Sequence, residues 1–457
     1  MLNTPVDIEF IYELSYSMLA HPVNCFTFAI NVNHGNMNTR KRYQINSLFY
    51  VLLCLFVLLP TGQAATIHLA KGNWAETAYK QLNALISNYG RDSKNYDATN
   101  KPYAVFDFDN TTAINDVEET FQIYQIEHLY YKIEPKEMMN VLTGNIPDLD
   151  KPLKDTNRMS GEKSITVRML ATDIFDDYTF LYNHYSGMKG RMNLTEIQKT
   201  PQYQDFSCKM RYLYTVLTDT FGADVSYTWI LFFFKGMTPD QIRTLAKKSV
   251  DYWMTTPFEK RIWESPAMGQ AGKVTTTFKT GFTITDEMKD LYHCLIANGF
   301  DVYICSASLK EIVEAVATNP KYGLNLSRDH VIGMMLKKDD KGRFINEYDT
   351  AYPLTFAEGK VIAIKNMIAK NHHGQGPVLV GGDSDGDYNM LTEFSDMQCG
   401  LIINRLSKEH IRELCKQAVY TKGCKFVLQG RDENKGIFRA SEASVTLGKT
   451  EQEKIAK

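Results

Sequence analysis

The stretch Ala104-Val105-Phe106-Asp107-Phe108-Asp109-Asn110-Thr111-Thr112 decides how the rest of the chain is interpreted. The apolar, β-prone run that ends at Phe106 is typical of a buried strand. Two carboxylates follow where that strand should end, and the alternation of side chains along a strand predicts that Asp107 and Asp109 point the same way. The polar residues after them favour a turn. Open α/β sheets bind their ligands at the carboxyl ends of strands, so this pair marks a candidate site.

Length and composition bound the possibilities. A chain of 457 residues is long enough for two domains, or for one domain that carries a large insertion. The formal net charge is -2, and no basic run with interleaved aromatic residues occurs, so we expect no nucleic-acid partner. The sequence carries no indication of the oligomeric state.

The amino-terminal region contains the pattern of a secretory signal. From Met37 the chain has a cationic segment, then an apolar run from Ile45 to Leu59, then small residues around Ala64. We interpret residues 37–64 as a signal peptide with cleavage after Ala64, and residues 1–36 as a mis-called extension. The mature protein would be periplasmic or secreted, with no stable membrane insertion after cleavage. The alternative is an uncleaved, amino-terminally membrane-anchored form.

Cysteine usage adds two expectations. In an oxidising compartment Cys415 and Cys424, the nearest pair in the mature sequence, could form a disulfide. Cys305 lies in an apolar strand and is expected to be a small core residue. No C-x-x-C spacing indicates a zinc site.

The pattern of predicted elements indicates an α/β core interrupted by a helical insertion. We assign residues 65–112 and 270–450 to the core and residues 113–269, which are rich in aromatic residues, to the insertion. Buried strands are predicted at Val302–Cys305, Val331–Met335, Val378–Val380 and Cys399–Ile403, and a hairpin or lid around 338–342. Helices are predicted over Trp74–Tyr89, Phe121–Ile133, Val167–Tyr185, Phe206–Phe221, Pro239–Trp253, Thr285–Ala297, Leu309–Ala317, Thr355–Lys370 and Lys408–Ala418.

Polar side chains recur where the predicted core strands end. Besides Asp107 and Asp109, these are Ser306 and the pair Asp383 and Asp387. In a doubly wound (Rossmann-like) parallel sheet such strand ends converge on one crevice. Carboxylates from two strands, with a backbone carbonyl and waters, form a hard oxygen site that suits Mg²⁺. We expect Lys360 to lie beside these acids. Lys365 is the alternative candidate, and both lysines lie on the predicted helix that precedes Asp383 and Asp387.

This set of residues fits the hydrolysis of a phosphate monoester. A carboxylate that attacks the dianion meets repulsion of roughly 4 kcal/mol per pair of unit charges near 4 Å at an effective dielectric of about 20, which a divalent metal and Lys360 would offset. Asp107 would be the nucleophile, and Asp109 would protonate the leaving alcohol and later deprotonate water. Ser306 and nearby backbone N–H groups, including that of Ala307, would bind the phosphoryl oxygens.

The ordered set D-F-D-N-T at 107–111, Ser306, Lys360 and G-D-S-D-G-D at 382–387 resembles the four motifs of the haloacid dehalogenase (HAD) superfamily. The helical insertion resembles the C1-type cap of that superfamily, so the resemblance implies a doubly wound parallel sheet with an inserted all-helical cap domain. It also implies Asp107, Asp383 and the Asp109 carbonyl as metal ligands, with Asp387 in support.

Within the superfamily, the motif-one segment through Glu119 and the Ser306-Ala307-Ser308 segment resemble the branch that contains phosphorylcholine phosphatase and phosphoserine phosphatase. Phosphoserine phosphatases usually have Asn and Gly where this chain has Gly386 and Ala307, which favours the phosphorylcholine-like side.

Residues at the start of the insertion are candidates for binding the part of the substrate beyond the phosphate. Asp116 and Glu119 could hold a cationic head group; they could equally be exposed acids at the start of a helix. Some aromatic residues of the insertion could form a cation–π wall, although core packing is the simpler interpretation: Tyr130, Tyr131, Tyr182, Trp229, Tyr252 and Trp253.

The expected function is therefore that of an exported Mg²⁺-dependent phosphomonoesterase that acts on a small, amine-bearing phosphate ester of the phosphorylcholine type. Phosphoserine phosphatase is the alternative within the class. A dehalogenase needs no metal and would not require the acids at 383 and 387, and a phosphonate hydrolase would need a Schiff-base lysine from the cap. A non-enzymatic binding protein on the same fold is the remaining alternative.

Overall fold

A computed structural model describes residues 66–154 and 164–456. The segments interpreted above as an extension and a signal peptide lie outside these residues. No helix in the described ranges is long and apolar enough to cross a membrane.

The core is a six-stranded, wholly parallel sheet. Its spatial order is β12-β11-β10-β1-β6-β7, where the strands are β1 (Tyr103–Phe106), β6 (Asp301–Leu309), β7 (Val331–Met334), β10 (Leu379–Gly382), β11 (Cys399–Ile403) and β12 (Phe426–Gln429). The strand order reverses direction at β1, which is where doubly wound sheets form their ligand crevice. The predicted fold class is confirmed.

Helices cover both faces of this sheet, and β1 shows why. Ala104 and Phe106 belong to one apolar cluster, whereas Tyr103 and Val105 belong to the other, as the alternation of side chains along a strand requires. The helices are α1 (Glu76–Tyr89), α2 (Val117–His128), α3 (Pro135–Leu142), α4 (Val167–His184), α5 (Leu194–Ile197), α6 (Pro201–Phe221), α7 (Ala223–Leu231), α8 (Pro239–Met254), α9 (Asp286–Ala297), α10 (Lys310–Ala317), α11 (Glu358–Ala363), α12 (Tyr388–Thr392) and α13 (Ile411–Tyr420).

Helices α2 to α8 form the segment inserted after β1, which we call the cap. Short antiparallel pairs surround it and the core: β2 (Ala113–Ile114) with β5 (Thr283–Ile284), β3 (Lys260–Glu264) with β4 (Thr275–Lys279), β8 (Leu336–Lys338) with β9 (Phe344–Tyr348), and β13 (Arg431–Asp432) with β14 (Ile437–Phe438). The β8–β9 pair is the hairpin predicted around 338–342. The β3–β4 hairpin was not predicted, because exposed residues alternate with half-buried ones in β3 and with buried ones in β4, so neither strand contains an apolar run.

Two expectations about local structure were wrong. Strand β6 does not end before Ser306 but continues to Leu309, with a register shift against β7 between Cys305 and Leu309. A bulge of this kind re-aims side chains at the end of a strand. Cys415 and Cys424 are both free thiols, with Cys415 buried in the core, so they do not form the disulfide that their spacing suggested.

A buried ionic cluster joins the cap helices to the loop before β4. The ammonium group of Lys209, on α6, donates to Asp205 (2.6 Å), to Asp173 on α4 (2.9 Å) and to the carbonyl of Met268 (2.9 Å). Asp173 also accepts bonds from the backbone N–H groups of residues 270–271. One lysine therefore faces more carboxylates than it can neutralise, since Asp177 is buried beside Asp205 as well. Burial and the hydrogen bond to Asp205 raise the pKa of Asp177 to about 9.

Replacing Asp177 with Asn should remove a loss of stability at higher pH. The folded protein keeps Asp177 protonated up to about pH 9, whereas the unfolded chain ionises it near pH 4, so the free energy of unfolding contributed by this group falls as the pH rises between these values. We expect the free energy of unfolding of Asp177→Asn, measured in urea at pH 5 and pH 8, to rise relative to that of the wild type by up to about 1.4 kcal/mol per pH unit.

The control for this prediction is Asp176→Asn, which removes an exposed carboxylate from the next position of the same helix. Its difference from the wild type should stay constant with pH. A constant difference for Asp177→Asn as well would show that Asp177 is ionised in the folded protein.

Candidate active site

The carboxyl edge of the sheet brings three buried aspartates together. Asp107 directly follows β1, Asp383 directly follows β10, and Asp387 lies one turn further along. One carboxylate oxygen from each lies within 4.8 Å of the others. Asp107 and Asp109 line one cavity, and Phe108 between them is buried in the core. Because the strand ends at Phe106, the turn after the strand places the two carboxylates there, and not the alternation of side chains along a strand.

Lys360 lies between two of these acids. Its ammonium group donates to Asp107 Oδ1 and to Asp387 Oδ1, each at 2.6 Å, and its side chain is only 2% exposed. Burial alone would lower the pKa of Lys360, but the two carboxylates outweigh burial and hold it above its ordinary value. The competing candidate, Lys365, lies over the ring of Phe394 and does not line the cavity. The structure therefore brings Lys360 to the acids.

Asp109 is held by bonds from the cap and from β6. Its Oδ1 accepts from the backbone N–H of Val117 (2.6 Å), and its Oδ2 accepts from Ser308 Oγ (2.6 Å) and Ser306 Oγ (3.3 Å). Burial raises the pKa of Asp109 to about 6, although these hydrogen bonds oppose the shift. Ser306 thus contacts Asp109 but does not line the cavity, whereas Ala307 and Ser308 do. Ser308 was missed; the same strand end was its only signal.

Both oxygens of Asp383 have partners. Oδ1 accepts from Thr111 Oγ1 (2.7 Å), and Oδ2 accepts from Arg405 Nη1 (2.8 Å). Thr111 belongs to the D-F-D-N-T motif at 107–111, so its contact with Asp383 could have been predicted from its position. Arg405 follows β11, which also ends at the carboxyl edge of the sheet, and that placement was the signal available for it. Asp387 Oδ2 accepts from the backbone N–H groups of Asp383 and Ser384, which closes the loop around the site.

The charges of the site leave an excess of negative charge. The carboxylates of Asp107, Asp109, Asp383 and Asp387 face two cationic side chains, Lys360 and Arg405. Burial, together with the nearby Asp387, raises the pKa of Asp107 well above its ordinary value, against the effect of Lys360. Buried charges of one sign are costly unless they are paired or coordinate a metal. Clustered carboxylate oxygens are the donors that hard divalent cations take, so these residues fit such an ion.

The cap closes the other side of a cavity of about 80 Å³. Asp116 lines it and caps α2 by accepting from the backbone N–H of Glu119 (2.8 Å). Burial and the nearby Asp109 raise the pKa of Asp116 well above its ordinary value. Glu119 does not line this cavity; it pairs with Arg211 and faces an adjacent one. Of the two acids predicted to contact substrate, the structure brings only Asp116 to the site.

The aromatic lining comes from residues other than those considered from the sequence. Tyr214, Tyr227 and Phe356 line the cavity, and none of the six aromatic residues considered from the sequence does so. Trp229 and Trp253 are core residues, each fully buried with its indole N–H donating to a backbone carbonyl. Helical spacing alone could not show which side of a cap helix faces the sheet.

Comparisons with known proteins agree with this fold. Residues 257–392 match the family model of the haloacid dehalogenase-like hydrolases. A solved structure of a conserved, functionally unknown protein from Anaerococcus prevotii is 32% identical, covers 83% of this chain and 98% of its own, and superposes with a TM-score of 0.77. The phosphorylcholine phosphatase of Pseudomonas aeruginosa is 26% identical over 394 residues, which are 80% of this chain and 90% of that protein.

The chain belongs to the haloacid dehalogenase-like hydrolases. Within that superfamily, the gathering of the motif acids with Lys360 in one site and the similarity to a phosphorylcholine phosphatase support a phosphatase.

Proposed function

We propose that this protein is an exported, Mg²⁺-dependent phosphomonoesterase that acts on a small, amine-bearing phosphate ester of the phosphorylcholine type. The observation that carries the proposal is the buried cluster of Asp107, Asp383 and Asp387 with Lys360 between its members. The similarity to phosphorylcholine phosphatase supports the class of substrate.

Asp107, Asp383, Asp387 and the Asp109 carbonyl would hold the Mg²⁺ ion. When bound, Mg²⁺ would neutralise the excess carboxylate charge and polarise a phosphoryl oxygen. Lys360 would neutralise charge on the phosphoryl group, and Ser306 with the N–H of Ala307 would orient that group.

The reaction proceeds in two displacements at phosphorus. Asp107 Oδ2, the oxygen that does not bond Lys360, attacks phosphorus; the bond to the ester oxygen breaks, and Asp109 donates its proton to the departing alcohol. Water then attacks the aspartyl phosphate while Asp109 takes a proton from it. The bond between phosphorus and Asp107 breaks, and inorganic phosphate leaves with Asp107 restored.

The cavity suits a cationic leaving group. Asp116 offers a carboxylate, and Tyr214, Tyr227 and Phe356 offer aromatic surface that attracts an ammonium group. Phosphoserine is the second candidate, since Arg405 lines the same cavity and carboxylates pair well with guanidinium groups. Phosphonate hydrolysis is disfavoured, because Lys360 is the only lysine that lines the cavity among the described residues and it does not belong to the cap.

Replacing Asp107 with Asn should abolish Mg²⁺-dependent release of phosphate from p-nitrophenyl phosphate, because an amide oxygen is a poor nucleophile and a weaker cation ligand. We expect a loss of at least about 10³-fold in kcat. EDTA should abolish wild-type activity, and Mg²⁺ should restore it.

The matched control is Asp385→Asn, in the loop that also carries Asp383 and Asp387. Asp385 does not line the cavity and accepts bonds from the backbone N–H groups of residues 410–411. Full activity in Asp107→Asn, or hydrolysis that persists in EDTA, would contradict the proposal.

Replacing Asp116 with Asn should affect charged and uncharged leaving groups differently. Loss of the carboxylate should raise KM for phosphorylcholine by roughly 10-fold, as expected for one charge-assisted contact, and should leave KM for p-nitrophenyl phosphate nearly unchanged. Glu119→Gln, whose partner is Arg211, should not discriminate between the two. If phosphoserine is the better wild-type substrate and Asp116→Asn improves it further, the second candidate is correct.

Export is proposed from the sequence of residues 37–64 alone. Amino-terminal sequencing of the protein recovered from the periplasm or medium of an expressing bacterium should begin at Ala65. A chain that stays in the cytosolic fraction with its amino terminus intact would contradict this proposal.

A further inference from the structure

The main chain adopts an unusual conformation immediately after Asp109. Asn110 has φ 61° and ψ -2°, in the left-handed region. A residue with a Cβ is held there only where its surroundings fix it, and Asn tolerates this region better than most residues do. Asn110 is buried, so its polar groups also need partners from the protein.

Arg431 supplies those partners from the carboxy-terminal part of the chain. Its Nη1 donates to the Asn110 carbonyl (3.0 Å), and its Nη2 donates to Asn110 Oδ1 (3.2 Å). The planar guanidinium group therefore grips the backbone and the side chain of one residue at the same time. Arg431 is 1% exposed, and it lies 321 residues away in the sequence from the turn it contacts.

Arg431 is itself fixed on its other side. Nη2 also donates to Glu433 Oε1, and Glu433 Oε2 accepts from Lys279 on β4 (3.0 Å) and from the backbone N–H of Leu447 (3.0 Å). The backbone N–H of Arg431 donates to Ser444 Oγ (2.9 Å). These bonds fix the position of the guanidinium group. The guanidinium group can therefore hold the turn at Asn110 in one conformation.

The turn at Asn110 and the carboxylate of Asp109 are restrained separately. Val117 and Ser308 hold the carboxylate, whereas Arg431 holds the carbonyl and the side chain of Asn110, the next residue. The backbone N–H of Asn110 donates to the Asn115 carbonyl (3.2 Å), so Arg431 and this bond hold the turn after Asp109 together. General acid catalysis is sensitive to such placement, because the proton must lie within hydrogen-bond reach of the leaving oxygen.

We propose that Arg431 is a positioning residue for the phosphatase reaction, which holds the Asn110 turn so that Asp109 is aligned with the leaving-group oxygen. Arg431 lies outside the four motifs and does not line the catalytic cavity. The assignment rests on the proposed function, since it gives Arg431 a role only if Asp109 is the acid.

The test compares kcat/KM for two esters, which reports the steps up to departure of the alcohol. Phosphorylcholine has a poor leaving group that needs a proton, whereas p-nitrophenolate leaves readily without one. Arg431→Met should lower kcat/KM for phosphorylcholine by about 10²-fold and for p-nitrophenyl phosphate by less than about threefold. A purely structural role would lower both equally.

Two further variants distinguish a loss of positioning from a folding defect. Glu433→Gln keeps the arginine but weakens its anchor, and it should give a smaller loss with the same preference for phosphorylcholine. Arg439→Met is the matched control: Arg439 lies in the same segment, and its side chain bonds Gln452, so both esters should be unaffected. Circular dichroism and thermal unfolding show which variants are folded.

The outcomes separate the two hypotheses. Equal losses for both esters in folded Arg431→Met or in Glu433→Gln, or no loss in either, would overturn the assignment of Arg431 alone. If the wild type hydrolyses neither ester, the proposed function is wrong, and the role of Arg431 falls with it.

Discussion

The sheet brings several carboxylates close together, and the structure depends on compensating the repulsion between them. Parallel strands end at one edge, so Asp107 after β1 and the Asp383–Asp387 pair after β10 share a small volume in which all three are buried. Several negative charges in one buried place would unfold a protein of ordinary stability unless cations compensate them. Lys360 and Arg405 compensate part of the charge, and a divalent cation is the simplest way to balance the rest.

The surrounding elements serve mainly to make this arrangement rigid. Thr111 and Arg405 fix Asp383, and backbone N–H groups fix Asp387. The cap contributes Asp116 and aromatic surface over the same cavity, while its own stability comes from separate contacts such as the buried Lys209 cluster. The candidate catalytic groups thus come from the core, and most of the groups proposed to select the substrate come from the cap.

The sequence was most informative where a short apolar run ends in acids. The strand before Asp107, the α/β pattern and the convergence of Asp383, Asp387 and Lys360 follow from local signals and from the rule that parallel strands end at one edge. Side-chain pairing across the fold does not follow from local signals: Glu119 pairs with Arg211 on another cap helix, and Arg431 reaches Asn110 from the far end of the chain. The bulge in β6 that brings Ser308 beside Asp109 has no sequence pattern of its own.

Calorimetric titration of the metal-free protein with Mg²⁺ tests the central claim most directly, because it asks whether the excess charge binds a cation before any substrate is present. The account predicts one Mg²⁺ per chain, with binding weakened by at least about 10-fold in Asp383→Asn, which loses one charged ligand. Absence of binding in the wild type, or equal binding in Asp383→Asn, would contradict it.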